Sequence, residues 1–316
     1  MDGSFPGTVV VEDGRIAAVE RRPGIPPEPL LLPGFLDLHV YAPDRLRGQG
    51  VTGYLLATRR LVEPEDPLCL GLHLEGPFLN PDAAGAIPTD ELTAVELARV
   101  EEWAAAGSVR LVTVAPELPR ALAAIRRLAA AGIVPAVGHT RANALTVRAA
   151  VDAGARFATH VWNAMAPLRA RSTGPVLALL LDERVTLGLI ADGRHLHPHV
   201  EELTVRVAGP GRIALTSDLA WPAQRPDGTL LGGDRAGAAL VARFARFGLQ
   251  EAATMASLVP ARLLGLADRG RIAPGYRADL AVLGRDFSPV ATLLAGQRLP
   301  DPPARPRGDG WSGAYT

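Results

Sequence analysis

The sequence predicts an α/β fold: a (β/α)8 barrel carrying a small β-sandwich domain built from both termini. Three observations lead there. Through the middle of the 316-residue chain, eight apolar runs alternate with Ala/Arg/Leu-rich helical stretches, the pattern of a parallel sheet wrapped by helices. Both ends are instead short and strand-like, with turn residues between the runs. Polar residues of ligand type close several of the middle runs, at the rim where such barrels keep their sites.

The elements follow in order. Gly7 to Val11 and Arg15 to Glu20 flank Asp13-Gly14, a hairpin signal. Eight strands are then read over Phe35–His39, Val51–Ala57, Leu68–Glu75, Val109–Val114, Ile133–His139, Arg156–His160, Val185–Ala191 and Ile213–Asp218. Helices are read over Thr93–Ala106, Leu118–Ala131, Ala144–Ala153 and Glu201–Ala208, with a further one over 250–264 leading out of the barrel. About ten residues, Val40 to Gln49, join the first two strands, too few for a crossover helix. That helix is missing or the strand count is off by one. Gly270 to Ile272, a turn at Pro274-Gly275, Ala278 to Leu283 and Val290 to Leu294 read as further short strands. The resulting division is 1–32 with 265–298 for the small domain, 33–264 for the barrel and 299–316 for a loose tail rich in Pro, Arg and Gly.

Composition removes several function classes. At 48% hydrophobic the chain has material for a large core. Zero formal net charge offers nothing to capture nucleic acid or an anionic membrane. No apolar run approaches the roughly 20 residues of a spanning helix. The single cysteine, Cys69, lies in an apolar run. It excludes a disulfide framework and fits a reducing cytoplasm.

The chemistry is read from four strand ends. Glu75 closes its strand and is followed at once by Gly76-Pro77; His139, His160 and Asp218 close three others. One carboxylate and two imidazoles suffice to hold a divalent ion with an open position for water, and a second carboxylate, Asp218, manages the proton as base and then acid. Each residue alone has a structural explanation, as a cap or a packed polar group. Four of them at four rims must converge if the barrel is real. Zinc comes first among the metals, though iron, cobalt and manganese accept the same donors. His195 follows the Asp192-Gly193 turn and reaches the rim. His197 and His199, flanking Pro198, read as solvent-exposed. His73 shares a side with Glu75 by strand alternation and reads as support, not ligand. Asn163 and Ala164 stand where an amide and backbone N–H groups bind an anion or a sugar hydroxyl. Arg171 offers a planar fork to a phosphate.

Taken together, Pro33-Gly34-Phe35-Leu36-Asp37-Leu38-His39, Gly71-Leu72-His73-Leu74-Glu75-Gly76-Pro77-Phe78, Gly138-His139-Thr140, Thr159 to Met165, Gly188 to Gly193 and Thr216-Ser217-Asp218 resemble the N-acetylglucosamine-6-phosphate deacetylase family of the amidohydrolase superfamily. The resemblance runs in order from about residue 7 to 297. It implies the barrel with a small β-sandwich, a homodimer, and hydrolysis of an amino-sugar phosphate acetamide to acetate and glucosamine 6-phosphate. It implies Glu75, His139 and His160 as ligands of one metal per chain and Asp218 as the catalytic residue. Asn163, Ala164, Arg171, His195 and Leu230-Leu231-Gly232 would meet the substrate, as would Ala86 and Ile87. Two departures stand out. His39-Val40-Tyr41 replaces a His-x-His pair that serves a second metal, which points to a single ion. Gly85-Ala86-Ile87 has isoleucine where the family places a histidine against the acetamide. Losing such a donor costs roughly 10²–10³ in rate. The chain is also shortened after the first strand and after Leu231-Gly232. Two other readings stay open: hydrolysis of a different N-acyl or cyclic amide, and a non-catalytic relative that binds a sugar phosphate.

Overall fold

In the computed structural model, which describes residues 4–24, 26, 28–220, 223–226 and 228–300, Gly7–Glu12 (β1) and Arg15–Arg21 (β2) pair antiparallel around Asp13-Gly14. Both turn residues have positive φ, as the two-residue turn that matches strand twist requires. Leu30–Pro33 (β3) then leads into eight consecutive parallel strands: Phe35–Val40 (β4), Val51–Thr58 (β5), Cys69–Glu75 (β6), Val109–Val114 (β7), Val134–Val137 (β8), Phe157–Ala158 (β9), Thr186–Ile190 (β10) and Ile213–Thr216 (β11). Each lies beside its sequence neighbour. Closure comes where β11 returns to β4: Val40 bridges Leu219, and the Tyr41 and Ala42 N–H groups both donate to the Leu219 carbonyl at 2.9 Å. The Ser217 N–H donates to the buried Asp37 carboxylate at 3.2 Å across the same seam. Burial pushes Asp37 up to about 6, against the pull of its hydrogen bonds from Ser217 and His39.

Helices Leu97–Ala106 (α1), Ala121–Ala130 (α2), Ala144–Asp152 (α3), Gly174–Leu181 (α4) and Pro198–Ala208 (α5) cross over after β6 to β10. The eight-strand count stands, and the missing element is the first crossover helix. A single 3-10 turn, Pro43–Arg45, occupies that connection, and residues 59–68 join β5 to β6 without an α-helix as well. Two helices go unannounced by the sequence pattern, α4 and Ala238–Phe244 (α6). The α4 segment, Gly-Pro-Val-Leu-Ala-Leu-Leu-Leu, is apolar on every side, so no stripe marks it as a helix. Leu249–Ala253 (α7) and Val259–Leu263 (α8), joined by a π turn, form the anticipated exit helix.

Leu280–Leu283 (β12) pairs with β3 and with Pro289–Leu294 (β13), and Gln297–Arg298 (β14) lies at the edge. Ile16, Ala278 and Leu280 form a small core with Val9, Val19, Leu31 and Leu293, so the hairpin and this sheet face each other. Both chain ends contribute. Gly270 to Ile272 is not a strand. That stretch runs into turns whose backbone groups meet β2 singly, with Ile16 N–H on the Tyr276 carbonyl and Gly275 N–H on the Ile16 carbonyl, both at 2.8 Å. The expected tail lies outside the described residues from 301 onward.

Packing assigns the two ends of the barrel different tasks. The largest cluster fills the space between strands and helices. A second joins Leu38, Leu55, Leu111, Ala136, Phe157 and Ala214 of the strands to Val259 and Leu264 around α8. Each buried leucine or phenylalanine contributes about 1.5–3 kcal/mol, which leaves the carboxyl rim free to carry polar groups. Among the described residues no helix is long and apolar enough to cross a membrane.

One charge cluster braces the wall. Glu201 on α5, fully buried, accepts from Arg243 of α6 at 2.9 and 3.0 Å and from Arg246 just beyond. Replacing Glu201 by Ala is expected to lower the unfolding free energy by about 2–3 kcal/mol, less than for a fully buried pair because both arginines are partly exposed. Urea denaturation of the two proteins measures it.

Candidate active site

Glu75, the last residue of β6, is 3% exposed at the barrel mouth. Residues following β8, β9 and β11 converge on it. His139 Nε2 stands 2.9 Å from Glu75 Oε1, His160 Nε2 stands 2.8 Å from the same oxygen, and the two nitrogens are 3.2 Å apart. His139, His160 and Asp218 have positive φ values of 46°, 27° and 49°, costing on the order of 1–3 kcal/mol each. The chain turns sharply at each strand end, and that turn aims the side chain inward. Gly138 is required just before His139. A Cβ there would meet Thr113 Cγ2 at 2.6 Å and Thr159 Cβ at 2.9 Å, two residues whose hydroxyls are hydrogen-bonded at 2.8 Å beneath the site.

The donor atoms fit a cation. His139 Nδ1 donates to the Ala83 carbonyl at 2.9 Å. A carbonyl only accepts, so His139 keeps its proton there and presents a lone pair at Nε2. That lone pair, a carboxylate oxygen and His160 Nε2 meet within 3.2 Å. A carboxylate oxygen and an imidazole lone pair 2.9 Å apart repel unless a proton or a cation lies between them. Tetrahedral bonds of about 2.0–2.1 Å separate neighbouring ligand atoms by roughly 3.3 Å, near the 3.2 Å between the two nitrogens and wider than the 2.8 and 2.9 Å from them to Glu75. Burial would raise Glu75, yet the imidazoles around it hold it well below the carboxylate range. Burial would lower His139, and Glu75 raises it instead.

Around this centre lies a cavity of about 710 Å3. It brings together Glu75, His139, His160, Asp218, Asn163, Ala164, His195, Ala86, Ile87, Leu230 and Leu231. Two expected residues stay out. Arg171 is exposed in the turn bridged by Arg169 and Ser172 and does not line the cavity. Gly232 lies behind the wall, and a Cβ on it would meet the Asp218 carbonyl at 2.4 Å. It serves close backbone approach, not contact. His197 and His199 are exposed and away from the cavity. His73 is fully buried below the site and packs edge-on against Phe157. Burial holds it well below the ordinary imidazole range.

Several lining residues escape a motif-based reading: Tyr41, Arg59, Glu91 and Arg225. Tyr41 sits two residues past His39, so the strand-alternation rule that placed His73 applies to it too. Its hydroxyl donates to Glu75 Oε2, and burial together with Glu75 keeps the phenol protonated, well above its usual range. Arg59 lies just beyond β5, and its guanidinium grips Glu91 with Nε and Nη2. Nothing in the sequence pairs those two.

This chain belongs to the amidohydrolase family, whose model matches residues 49–299. Among its curated relatives is N-acetylgalactosamine-6-phosphate deacetylase of Escherichia coli O157:H7, 33% identical, with 91% of this chain and 93% of the relative covered. Another is N-acetylglucosamine-6-phosphate deacetylase of Bacillus subtilis, 28% identical, with 92% of each covered. A solved structure of N-acetyl-D-glucosamine-6-phosphate deacetylase from Mycobacterium smegmatis, in complex with N-acetyl-D-glucosamine-6-phosphate, superposes with a TM-score of 0.83 at 30% identity, covering 92% of this chain and 94% of that one. The Thermotoga maritima enzyme gives 0.84 at 29% identity.

Asp192 anchors the His195 side of the cavity. It accepts from His195 Nδ1 at 2.9 Å and from the Arg194 and His195 N–H groups. Burial works to raise its pKa, and these bonds outweigh burial and bring it down to about 2. A folded value below the ordinary 3.8 means that its stabilisation is complete above about pH 4 and drains away as pH falls towards 2. At about 1.4 kcal/mol per unit this is on the order of 2 kcal/mol. Asp192→Asn should flatten that part of the acid-stability curve, measured as the difference in urea midpoints between the two proteins from pH 5 to 2.

Proposed function

We propose that this amidohydrolase cleaves the acetamide of N-acetylglucosamine 6-phosphate, giving acetate and glucosamine 6-phosphate. One observation carries the chemistry: two imidazole nitrogens and one carboxylate oxygen, all buried, converge within 3.2 Å at the mouth of a cavity that also holds an unassigned carboxylate. Glu75, His139 and His160 are the proposed ligands, with zinc as the metal. When bound, a divalent ion supplies Lewis acidity, polarising a carbonyl and acidifying water.

The chain's own residues do the rest. Asp218 takes a proton from the attacking water at its carboxylate and returns it to the departing amine nitrogen. Asn163, Ala164 and His195 line the cavity on the β9–β10 side, where amide, backbone and imidazole donors suit a phosphate or sugar hydroxyl. Ile87, 8% exposed in the wall, offers no hydrogen and gives the acyl methyl an apolar surface. A homodimer in a reducing cytoplasm belongs to the same proposal, supported by the family resemblance and the lone cysteine.

Acetate release from N-acetylglucosamine 6-phosphate by zinc-loaded protein tests this, with the N-acetylgalactosamine epimer as comparison. The expected result is turnover that a chelator abolishes and zinc restores. Asp218→Asn should lower kcat by at least about 10²-fold with zinc still bound. Retained turnover in that variant removes Asp218 from the proton path, and an inactive zinc-loaded wild type sinks the substrate assignment.

A further inference from the structure

We infer that His39 presents an N–H, and not a metal-binding lone pair, to the site's two carboxylates, and that with Tyr41 it positions Asp218 and Glu75 around a single cation. This rests on Glu75, His139 and His160 as the ligand set.

By distance alone His39 qualifies as a ligand. Its ring nitrogen, a Glu75 oxygen and a His160 nitrogen lie within 4.8 Å of one another. It is 1% exposed, and its Nε2 has no well-aligned hydrogen bond. The other end of the ring decides the matter. His39 Nδ1 is 2.8 Å from His73 Nδ1, which is itself 2.9 Å from the Leu38 carbonyl. The carbonyl can only accept, so His73 carries its proton on Nδ1. Two N–H groups cannot face each other at 2.8 Å, and His39 Nδ1 therefore presents its lone pair. The ring's proton sits on Nε2. There it points between Asp218 Oδ1 at 3.2 Å and Glu75 Oε1 at 3.4 Å.

The floor below agrees with this direction. With its proton on Nδ1, the neutral His73 accepts at Nε2 from Thr113 at 2.8 Å, and Thr113 accepts from Thr159. Reversing the chain would require a carbonyl to donate. The same rule gives the opposite answer for His139, whose Nδ1 proton is held by Ala83 and whose Nε2 is free to bind. Backbone carbonyls thus sort the histidines: one fixed as donor, one as ligand.

Tyr41 completes the arrangement. Its hydroxyl donates to Glu75 Oε2, which leaves Oε1 to face the imidazoles. Its ring stands edge-on to His39 at 5.4 Å. Neither residue directs a lone pair of a neutral or anionic ligand at a second ion, and each holds one carboxylate in orientation. They are positioning residues.

X-ray absorption of the zinc-loaded protein, with zinc counted on the same sample, tests this. One zinc per chain with two imidazole ligands is expected. His39→Gln keeps an N–H at the reach of Nε2 and should leave that imidazole count at two, with zinc Kd within about threefold of wild type. His39→Leu and Tyr41→Phe each remove a donor and should weaken zinc about ten- to hundredfold, the usual effect of losing a ligand's supporting partner, again with two imidazoles. Three imidazoles in wild type, a drop in the count in His39→Gln, or a second zinc at saturation would overturn the inference. An unchanged Kd in Tyr41→Phe would remove Tyr41 from it. Absence of zinc from the wild type would instead overturn the ligand set beneath both.

Discussion

A carboxylate almost wholly removed from water must be matched on every side, since an uncompensated buried charge costs several kcal/mol. Glu75 is in that position, and its needs explain most of what surrounds it. His139 and His160 meet one oxygen, Tyr41 meets the other, and His39 stands beside it. These partners come from the ends of β4, β8 and β9 while Glu75 ends β6, so one charge gathers the rim of the barrel. Ordinary packing keeps the strands together lower down, where Phe157 and its leucine neighbours fill the space.

The rim is where local preference gives way. Three of the convergent residues adopt a left-handed backbone without being glycine, and they do so at the point where each strand stops pairing. Such conformations persist only where surrounding structure over-determines them. Here the floor of His73, Thr113 and Thr159 supplies that constraint, with Gly138 thin enough to pass against Thr113 and Thr159. Rigidity under the site and strain at its edge are two sides of one arrangement.

Much of this was legible in the sequence because strand ends announce themselves. Glu75 before Gly76-Pro77, and His139 after Gly138, combine a chemical group with a break in periodicity. The barrel followed from alternation, and the short connection from Val40 to Gln49 left either a missing crossover helix or a miscounted strand. The helix α4 was not legible, because a segment apolar on all faces carries no period. Arg171 lies outside the cavity wall, since proximity in sequence to Asn163 says nothing about which way an intervening turn faces. The pairing of Arg59 with Glu91, and the service Tyr41 renders to Glu75, are long-range contacts between residues of common type. No local pattern encodes them. Residue type alone also could not separate His39 from His139, since the difference lies in backbone carbonyls that every residue possesses.

The contact between His139 and Ala83 has an evolutionary side. Ala83 belongs to the segment after β6 that also brings Ala86 and Ile87 to the cavity wall. Because the main chain makes this contact, mutation of the side chains along the segment leaves it in place, and the wall is free to diversify towards new acyl groups. Insertions and deletions are another matter. Any change in length that shifts the carbonyl also releases the imidazole it steadies. Drift by substitution is therefore tolerated where drift by indel is not, and grafting a foreign loop at this position would disturb the orientation of His139 along with the cavity wall.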